Sequence, residues 1–408
     1  MTTMTSATLD FPPSTTPELL RDAERSLMYV VTRPEKIMVR GKGSYLWDLD
    51  GKRYLDFIQG WAVNCLGHSP RVLARALQQQ AKELVNASPA LLNEPMIRLA
   101  KLLTDHSCMD KVFFASTGAE ANEGAIKLAR KYGQRHLGGA YEVVTMWNGF
   151  HGRTLTMMSA SGKQAWDGLF EPKVPGFTRV PLNDLDAVKQ AVTQQTCAIM
   201  LEPVQGEAGV FSAEKSFVQG IRELCDERGI LLILDEIQTG IGRTGTLFGY
   251  EQFGIEPDIM TLGKGVGGGF PLSALLAKDP VCVFEAGDQG GTFCAQPLAM
   301  VAGLATVGEV IAKNISRKAH LRGTYLRRKL KVLRKEFGFT DLRGMGLLQA
   351  VDLPAPQAVE VANACLNDGL LINAPRPDTL RFMPALTVSN REVDEMLSIL
   401  TGALRRYL

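Results

Sequence analysis

The chain has 408 residues, of which 45% are apolar and 22% are charged, and its formal net charge is +2 at pH 7. These values are ordinary for a globular protein, and the small net charge excludes a general electrostatic attraction to nucleic acid or to an anionic membrane. No apolar run approaches the roughly 20 residues that a membrane-spanning helix needs.

Cysteine and histidine usage indicates the compartment. The seven cysteines are scattered and form no CxxC pair, the five histidines are widely spaced, and the N-terminus has no basic region followed by a hydrophobic one. Such a pattern is typical of reduced proteins without a secretory signal or a structural zinc site. We therefore expect a cytoplasmic protein without a bound metal. Its length favours one large and one smaller domain.

The N-terminal part predicts an arm, a hairpin and helices. Residues 1–17 are rich in Thr, Ser and Pro and predict a loose arm. Residues 44–57 alternate apolar and polar side chains about Asp50-Gly51, which indicates a hairpin with a type I′ turn. Residues 70–104 carry leucines and alanines at helical spacing.

After residue 110, apolar runs alternate with helical patterns. Strands are expected at 111–115, 142–147, 197–202, 230–235, 258–262 and 272–277, and helices at 119–134, 184–195 and 215–228. This alternation favours a mostly parallel sheet with helices on both faces, and such sheets bind ligands at the carboxyl ends of their strands. Farther on, residues 317–335 are strongly basic, but Leu326, Leu330 and Leu333 form an apolar stripe that favours a surface helix over a basic interaction face.

Lys264 stands in a glycine-rich run that follows an apolar strand pattern. Two interpretations stay open from these residues alone: a lysine that forms an imine with a carbonyl compound, and a solvated turn lysine. Gly263, Gly265 and Gly268 match the dinucleotide pattern GxGxxG. That pattern requires a helix to start within it, whereas Phe270-Pro271 and a second apolar run follow, so we predict strand–loop–strand.

Four other segments place polar side chains after expected strands. Ser116-Thr117-Gly118 precedes a helix, which suits either a phosphate or a plain helix N-cap. Phe150 and Arg153 lie in a loop where they could stack on a planar ring and bind a carboxylate, or simply anchor the loop. The remaining two segments carry acidic residues: Glu202, Glu207 and Asp235.

The acidic residues have several possible partners. Glu202 and Glu207 suit an acid/base pair, although the pairing of one of them with an arginine is the simpler interpretation. Asp235 follows five apolar residues, so its buried charge needs a cation, for which a magnesium ion, a protonated ring nitrogen or a structural salt bridge would serve.

Together these segments resemble the class III (omega-type) aminotransferases, which are pyridoxal-phosphate enzymes. The similarity is greatest to the acetylornithine/ornithine branch and rests on FFASTGAEANEGAIKLAR, NGFHGRT, EPVQGEAGV, LILDEIQTGIGRTG and LGKGVGGGFPLSA. It extends from the Asp50-Gly51 hairpin to Arg381. It implies an α/β fold of type I with a mostly parallel, seven-stranded large domain at 66–300. A smaller α+β domain would be built from residues 1–65 and 301–408.

The resemblance also implies roles around pyridoxal 5′-phosphate. Lys264 would hold the cofactor as a Schiff base and then move the substrate proton, while Asp235 would keep the ring nitrogen protonated. Gln238 would bond the ring 3-hydroxyl, and Phe150 and Ile237 would pack on the two ring faces. The phosphate would be held by Thr117, Gly118 and Ala119, and by Thr292 of the neighbouring subunit in a homodimer with active sites at its interface.

The same resemblance implies how substrates bind. Arg153 would bind the carboxylate distal to the reacting amine, and Arg381 the α-carboxylate of glutamate or 2-oxoglutarate. Glu207 would pair with Arg381 while the amine donor is bound and then swing away. The chain departs from the family pattern at Cys294-Ala-Gln-Pro297 and at Trp61, where this branch more often has a smaller aliphatic residue. If Trp61 lines the substrate entrance, as the resemblance implies, it would narrow the pocket or stack on an extended donor.

We accordingly predict an aminotransferase that moves a terminal amino group to 2-oxoglutarate by a ping-pong mechanism, with N-acetylornithine as the first-choice donor. Ornithine, 4-aminobutyrate, succinyldiaminopimelate and other diamines stay open as donors. A racemase or epimerase of the same family is a lesser alternative, and a non-enzymatic cofactor-binding regulator is a further one. No nucleic acid or membrane is expected as a partner.

Overall fold

The computed structural model describes residues 14–408. Its N-terminal part contains α1 (Thr16–Ser26), β1 (Met38–Lys42), β2 (Tyr45–Asp48), β3 (Arg53–Asp56), α2 (Gln59–Ala62), α3 (Arg71–Glu83) and α4 (Glu94–Asp105). Most of the predicted loose arm lies outside the described residues, and its last two residues begin α1 instead. The helical pattern at 70–104 corresponds to α3 and α4, which are separated where Asn93 caps α4 by accepting a hydrogen bond from the Met96 N–H.

The predicted hairpin is confirmed, because β2 and β3 pair in antiparallel fashion. The predicted type I′ turn is wrong. That turn needs positive φ at both central residues, whereas Gly51 has φ 85° and Asp50 is not among the residues with positive φ. Four residues join the strands, so the tight two-residue connection that favours a type I′ turn is not required.

The central part forms the large sheet and its covering helices. Its elements are β4 (Lys111–Ala115), α5 (Gly118–His136), β5 (Glu142–Met146), α6 (Leu155–Ala160), β6 (Phe177–Val180), α7 (Leu185–Ala191), β7 (Thr196–Leu201), β8 (Val204–Gln205), β9 (Phe211–Ser212), α8 (Lys215–Arg228), β10 (Leu231–Asp235), β11 (Ile259–Leu262) and β12 (Ser273–Ala277). Seven of these strands form one sheet in the order β4-β12-β11-β10-β7-β5-β6. Only β12 runs antiparallel to its neighbours.

Side-chain alternation along the central strands explains the layers. In β7, Ile199 and Leu201 belong to one apolar core, whereas Ala198 and Met200 belong to the core on the opposite face. A strand buried on both faces needs a continuous apolar run, which is what the sequence supplies. The predicted mostly parallel, seven-stranded sheet with two covered faces is confirmed. The expected helix at 184–195 ends earlier, at Ala191, since the chain turns there into β7.

The C-terminal part contains α9 (Pro297–Ala312), α10 (Ile315–Phe337), β13 (Asp341–Met345), β14 (Leu348–Asp352), α11 (Ala358–Asn367), β15 (Leu370–Leu371), β16 (Asn373–Arg376), β17 (Thr379–Phe382) and α12 (Asn390–Tyr407). Because β15 pairs with β3, the two ends of the chain share one small sheet, as expected for an α+β unit built from both termini. The domain boundaries at 65 and 300 stay predictions. The apolar stripe of α10 is buried, which confirms a surface helix.

No single helix within residues 14–408 is long and apolar enough to span a membrane. Only α9 and α10 taken together, with a 67° bend between them, pass a test of length and composition.

Candidate active site

Lys264 lies two residues beyond the end of β11, in the loop that leads to β12. The two strands are antiparallel neighbours, so the predicted strand–loop–strand is confirmed. Lys264 has φ 44°, a left-handed conformation that is strained for a residue with a side chain. Desolvation lowers the pKa of its amine, although the charges of Glu207 and Asp235 oppose this shift. A buried amine of lowered pKa is more often neutral, which is the nucleophilic and basic form.

Asp235 ends β10 and is 3% exposed. One carboxylate oxygen accepts hydrogen bonds of 2.8 Å from Nδ2 of Asn122 and from Nδ1 of His151. Asn122 in turn accepts a 2.7 Å hydrogen bond from the hydroxyl of Thr261. Burial disfavours the charged imidazole, but the hydrogen bond and charge of Asp235 outweigh it and raise the pKa of His151. Asp235 is therefore held in one orientation by groups from three separate elements.

A cavity of about 170 Å³ opens between the ends of β10, β11 and α5. It is lined by Gly118, Ala119, Phe150, His151, Gly152, Glu202, Asp235, Ile237, Gln238 and Lys264. Seven of these residues were predicted for the site from the sequence. Within residues 14–408, no three His, Cys, Asp or Glu side chains are placed to hold a metal ion, so the magnesium interpretation of Asp235 has no support.

The start of α5 forms one wall of this cavity. Thr117 is its N-cap, and its N–H donates to the carboxylate of Glu120 at 2.7 Å, as the N–H of Ser116 does at 3.1 Å. The plain N-cap interpretation is thus correct for Thr117. Gly118 and Ala119 follow it in the first turn, where N–H groups have no carbonyl partner within the helix and suit an anion.

Gln238 and Ile237 depend on neighbouring glycines for their positions. Neither polar atom of the buried Gln238 side chain has a hydrogen-bond partner among residues 14–408. A Cβ placed on Gly118 would lie 2.8 Å from Cδ1 of Ile237, and one on Gly263 would lie 3.1 Å from its Cγ2. Ile237 therefore projects into space that two glycines keep open.

Phe150 and Glu202 meet at another wall. The N–H of Phe150 donates a 2.9 Å hydrogen bond to Glu202, and desolvation raises the pKa of that carboxyl well above its usual range. Phe150 lies edge-on to Trp166, with 5.8 Å between the ring centroids. The guanidinium of Arg153 is 5.5 Å from the Trp166 ring centroid, and Arg153 itself is exposed. These contacts fix the loop that follows β5.

Arg381 and Glu207 form a salt bridge beside the cavity. The Arg381 side chain is 0% exposed, and its Nη1 donates to Glu207 and to the carbonyl of Gly206, each at 2.7 Å. Its Nη2 has no hydrogen-bond partner in the described part of the chain. Burial disfavours the Glu207 carboxylate, but the charges of Arg381 and Lys264 outweigh this and lower its pKa to about 2. The predicted pairing of one glutamate with an arginine is confirmed.

Two of the predicted residues lie farther out. The ring of Trp61 is 5.5 Å from the guanidinium carbon of Arg381 and is 48% exposed, which puts it at the edge of the substrate side. Trp61 has φ 65°, an uncommon conformation for a bulky residue. Thr292 is exposed and does not line the cavity. Its expected contact with a neighbouring subunit stays a prediction.

Comparisons with known proteins identify the family. The family model Aminotransferase class-III matches residues 29–404. The chain belongs to the class-III aminotransferases. It is 54% identical over 390 residues to the acetylornithine aminotransferase of Ralstonia nicotianae, which covers 94% of this chain and 98% of that protein. It is 45% identical to the acetylornithine aminotransferase of Caldanaerobacter subterraneus, with 93% and 98% covered.

Solved structures agree with this class-III fold. The ornithine aminotransferase from Toxoplasma gondii has a TM-score of 0.92 at 28% identity, and 97% of this chain and 96% of that chain are covered. The acetylornithine aminotransferase from Elizabethkingia anophelis has a TM-score of 0.86 at 29% identity, with 97% and 100% covered. The resemblance, the fold class and the prediction of an aminotransferase are confirmed.

The cavity suits the cofactor that class-III aminotransferases use, pyridoxal 5′-phosphate, whose ring withdraws electrons from the bound substrate. The two unpaired polar atoms of Gln238 suit a ring hydroxyl, and the oriented carboxylate of Asp235 suits a protonated ring nitrogen. The N–H groups of Gly118 and Ala119 suit a phosphate. Phe150 and Ile237 supply apolar contact for the ring, and Lys264 supplies the amine.

Sequence reasoning missed several residues that shape this class-III site. His151 follows Phe150 in the loop after β5 and orients Asp235, yet only its position within NGFHGRT could have marked it. Asn122 lies one turn into α5, within the motif that was assigned to phosphate binding. Gly206 makes room for Gln238, and the glycine between Gln205 and Glu207 was the available signal.

Proposed function

We propose that this class-III aminotransferase moves the terminal amino group of N-acetylornithine to 2-oxoglutarate, in two half-reactions that share one site. The names of the curated relatives support the donor. The observation that carries the proposal is the Arg381–Glu207 salt bridge. If Glu207 moves away, the buried Arg381 can bind a carboxylate of 2-oxoglutarate in one half-reaction. In the half-reaction with the amine donor, Glu207 stays in place and neutralises Arg381.

Proton transfer is the role that we propose for Lys264. Its amine lines the cofactor cavity, and its lowered pKa favours the neutral form that takes a proton from the substrate and returns it. Asp235 would stabilise a positive charge on the cofactor ring, and His151 and Asn122 keep that carboxylate in place. Gln238 would bond the ring hydroxyl. The side chains that line the cavity support these proposed roles.

We propose that two arginines, one exposed and one buried, select the substrates. Arg153 is exposed and makes no salt bridge within residues 14–408, so it is available for the carboxylate distal to the amine that reacts. Arg381 is fully buried and already paired. A dicarboxylate such as 2-oxoglutarate needs both cations, since an unpaired charge in a closed site costs roughly 3–5 kcal/mol. N-acetylornithine has one carboxylate and leaves the Arg381–Glu207 pair intact.

Ornithine is the second candidate donor. The similarity to the ornithine aminotransferase of Toxoplasma gondii, at a TM-score of 0.92, favours it. Ornithine carries an additional positive charge at its α-amine, whereas the acetyl group of N-acetylornithine removes that charge. Arg153 and Lys163 make no salt bridge within residues 14–408, so they disfavour a further cation near them. We therefore place N-acetylornithine first.

We also propose a homodimer whose active sites lie at the interface, in the cytoplasm. Five consecutive apolar residues, Leu27 to Val31, are exposed, with Met28 at 87% and Tyr29 at 83%. An exposed apolar patch of this kind supports an interface. Thr292 and the apolar Phe293 beside it are also exposed, which suits a contribution to a neighbouring site. The seven cysteines are free thiols, which supports a reducing compartment.

A donor panel tests the assignment. The holoenzyme is mixed with N-acetylornithine, ornithine, 4-aminobutyrate or succinyldiaminopimelate without a keto acid, and formation of the pyridoxamine form is followed by absorbance. We expect the highest specificity constant with N-acetylornithine and recovery of the starting spectrum on adding 2-oxoglutarate. Faster conversion with ornithine would reassign the donor. A spectrum unchanged by every donor would contradict transamination. Sedimentation analysis of wild-type protein and of Tyr29→Asp tests the dimer.

A further inference from the structure

A larger cleft, about 830 Å³ in volume, contains Glu207, the partner of Arg381. Glu207 and Lys163 both line it. Lys163 lies just after α6, is half-buried, and makes no hydrogen bond or salt bridge within residues 14–408. Its Nζ is 4.8 Å from the ring centroid of Phe150 and 5.4 Å from that of Trp166. The ammonium is thus held between two aromatic rings in a cleft that contains a carboxylate.

The proposed function requires Glu207 to release Arg381 when the α-carboxylate of 2-oxoglutarate arrives. Glu207 then stands in a partly enclosed cleft without its counter-charge. An ionised carboxylate in such a place is costly unless another cation meets it. Burial favours its neutral form, and the pKa of about 2 in the paired state depends on neighbouring cations. The release step therefore needs a second positive partner.

Two cations line the cleft beside Glu207. Arg376 already faces Asp378 at 3.6 Å and lies 5.6 Å from the ring of Phe211. Lys163 has no acidic partner at salt-bridge distance within the described chain. Its side chain is flexible enough to move its ammonium toward Glu207, and the contact with the aromatic ring faces that it would leave is a weak one. Of these two cations, Lys163 is therefore the one that is available to pair with Glu207.

We propose that Lys163 is the second partner of Glu207, and that the carboxylate alternates between Arg381 with the amine donor and Lys163 with 2-oxoglutarate. This inference rests on the proposed function and makes Lys163 a positioning residue. The electrostatics agree with the geometry. Desolvation lowers the pKa of Lys163, and the charge of Glu207 is the strongest influence that opposes this shift. Conversely, Lys163 is among the charges that lower the pKa of Glu207.

The two half-reactions measured separately test this alternation in Lys163→Met holoenzyme. Without the second partner, releasing Arg381 costs more, so KM for 2-oxoglutarate should rise about tenfold, between the small effect of an exposed ion pair and the large effect of a buried one. KM for N-acetylornithine should change by less than about threefold, because the Arg381–Glu207 salt bridge stays intact in the half-reaction with the amine donor. Lys163→Arg should restore most of the 2-oxoglutarate affinity, since it keeps the charge.

A double mutant separates the alternatives. In a Glu207→Gln background there is no carboxylate to relocate, so Lys163→Met should add little to KM for 2-oxoglutarate. An undiminished effect in that background would mean that Lys163 binds the substrate directly, and would overturn the proposal. Equal losses in both half-reactions would overturn it too. Lys331→Met, at an exposed position of α10, is the matched control.

The donor assignment is tested independently, because the 2-oxoglutarate half starts from enzyme reconstituted with pyridoxamine phosphate. Wild-type protein that rejects N-acetylornithine but reacts with 2-oxoglutarate would correct the donor alone and leave the Lys163 test intact.

Discussion

Gly206 and Gln238 are in closer contact than any other residue at position 206 would allow. A Cβ built on Gly206 would lie 1.6 Å from Oε1 of Gln238. The same glycine accepts a 2.7 Å hydrogen bond from Arg381 through its carbonyl. Gly206 thus contacts both the amide of Gln238, which faces the cofactor cavity, and Arg381, which is proposed to bind the substrate.

Gly206→Ala is therefore expected to displace the Gln238 amide from the cavity. The φ of Gly206 lies outside the left-handed region, so alanine is compatible with the backbone and the effect comes from the contact. Loss of one hydrogen bond to the cofactor should weaken pyridoxal-phosphate binding by about tenfold, as measured by absorbance titration of apo-protein. Gly402→Ala, where a Cβ meets open space in α12, is the control and should leave affinity unchanged. Unaltered affinity in Gly206→Ala would contradict the role of Gln238.

Asp235→Asn tests the charge at the end of β10. The substitution preserves shape but removes the charge that stabilises a protonated ring nitrogen, so kcat should fall by at least about 10²-fold, as for other removed electrostatic contacts. Asp235 also raises the pKa of His151 against the opposing effect of burial, so that pKa should fall in the variant, which NMR titration of the imidazole can follow. Activity within threefold of wild type would remove Asp235 from the mechanism. Thermal unfolding checks that the variant folds.

The strand ends and their polar residues could be predicted because local pattern determines them. Five apolar residues before Asp235 predict a buried strand that ends in a carboxylate, and this is how β10 ends. The turn from β4 into α5 is likewise a local feature, since Thr117 caps the helix that begins at Gly118. Roles at these positions came from the family resemblance and not from periodicity.

Contacts between distant segments could not be predicted in this way. The chain of hydrogen bonds from Thr261 through Asn122 to Asp235 joins three elements, and no spacing in the sequence encodes it. The same is true of the close approach of Gly206 to Gln238, and of the aromatic rings around Lys163. The wrong type I′ turn at Asp50-Gly51 has a similar origin, because the loop length between two strands depends on how they pair.

Arg381→Met should harm the two half-reactions unequally. With 2-oxoglutarate, the α-carboxylate loses its buried cation, and the specificity constant should fall by about 10²-fold or more, given roughly 3–5 kcal/mol for an unpaired buried charge. With N-acetylornithine the fall should be smaller. Glu207→Gln frees Arg381 and should instead favour 2-oxoglutarate. Single-turnover absorbance measures each half. Equal losses in both halves would remove the alternating salt bridge from the mechanism.

Lys264→Met should stabilise the apo-protein while it abolishes turnover. Burial lowers the pKa of Lys264 in the folded chain below its ordinary value of 10.5, so the folded state binds fewer protons than the unfolded state between those two pKa values. The free energy of unfolding of wild-type apo-protein should therefore rise with pH across that window. Below that pH window the buried ammonium of Lys264 destabilises the folded state most. There Lys264→Met apo-protein should be more stable than wild-type apo-protein by about 1–2 kcal/mol, as is usual when a poorly paired buried charge is removed. Urea denaturation of both apo-proteins at several pH values measures the difference. A gap that widens as the pH rises would contradict a lowered pKa, and visible absorption of a lysine-bound cofactor in Lys264→Met would contradict its role.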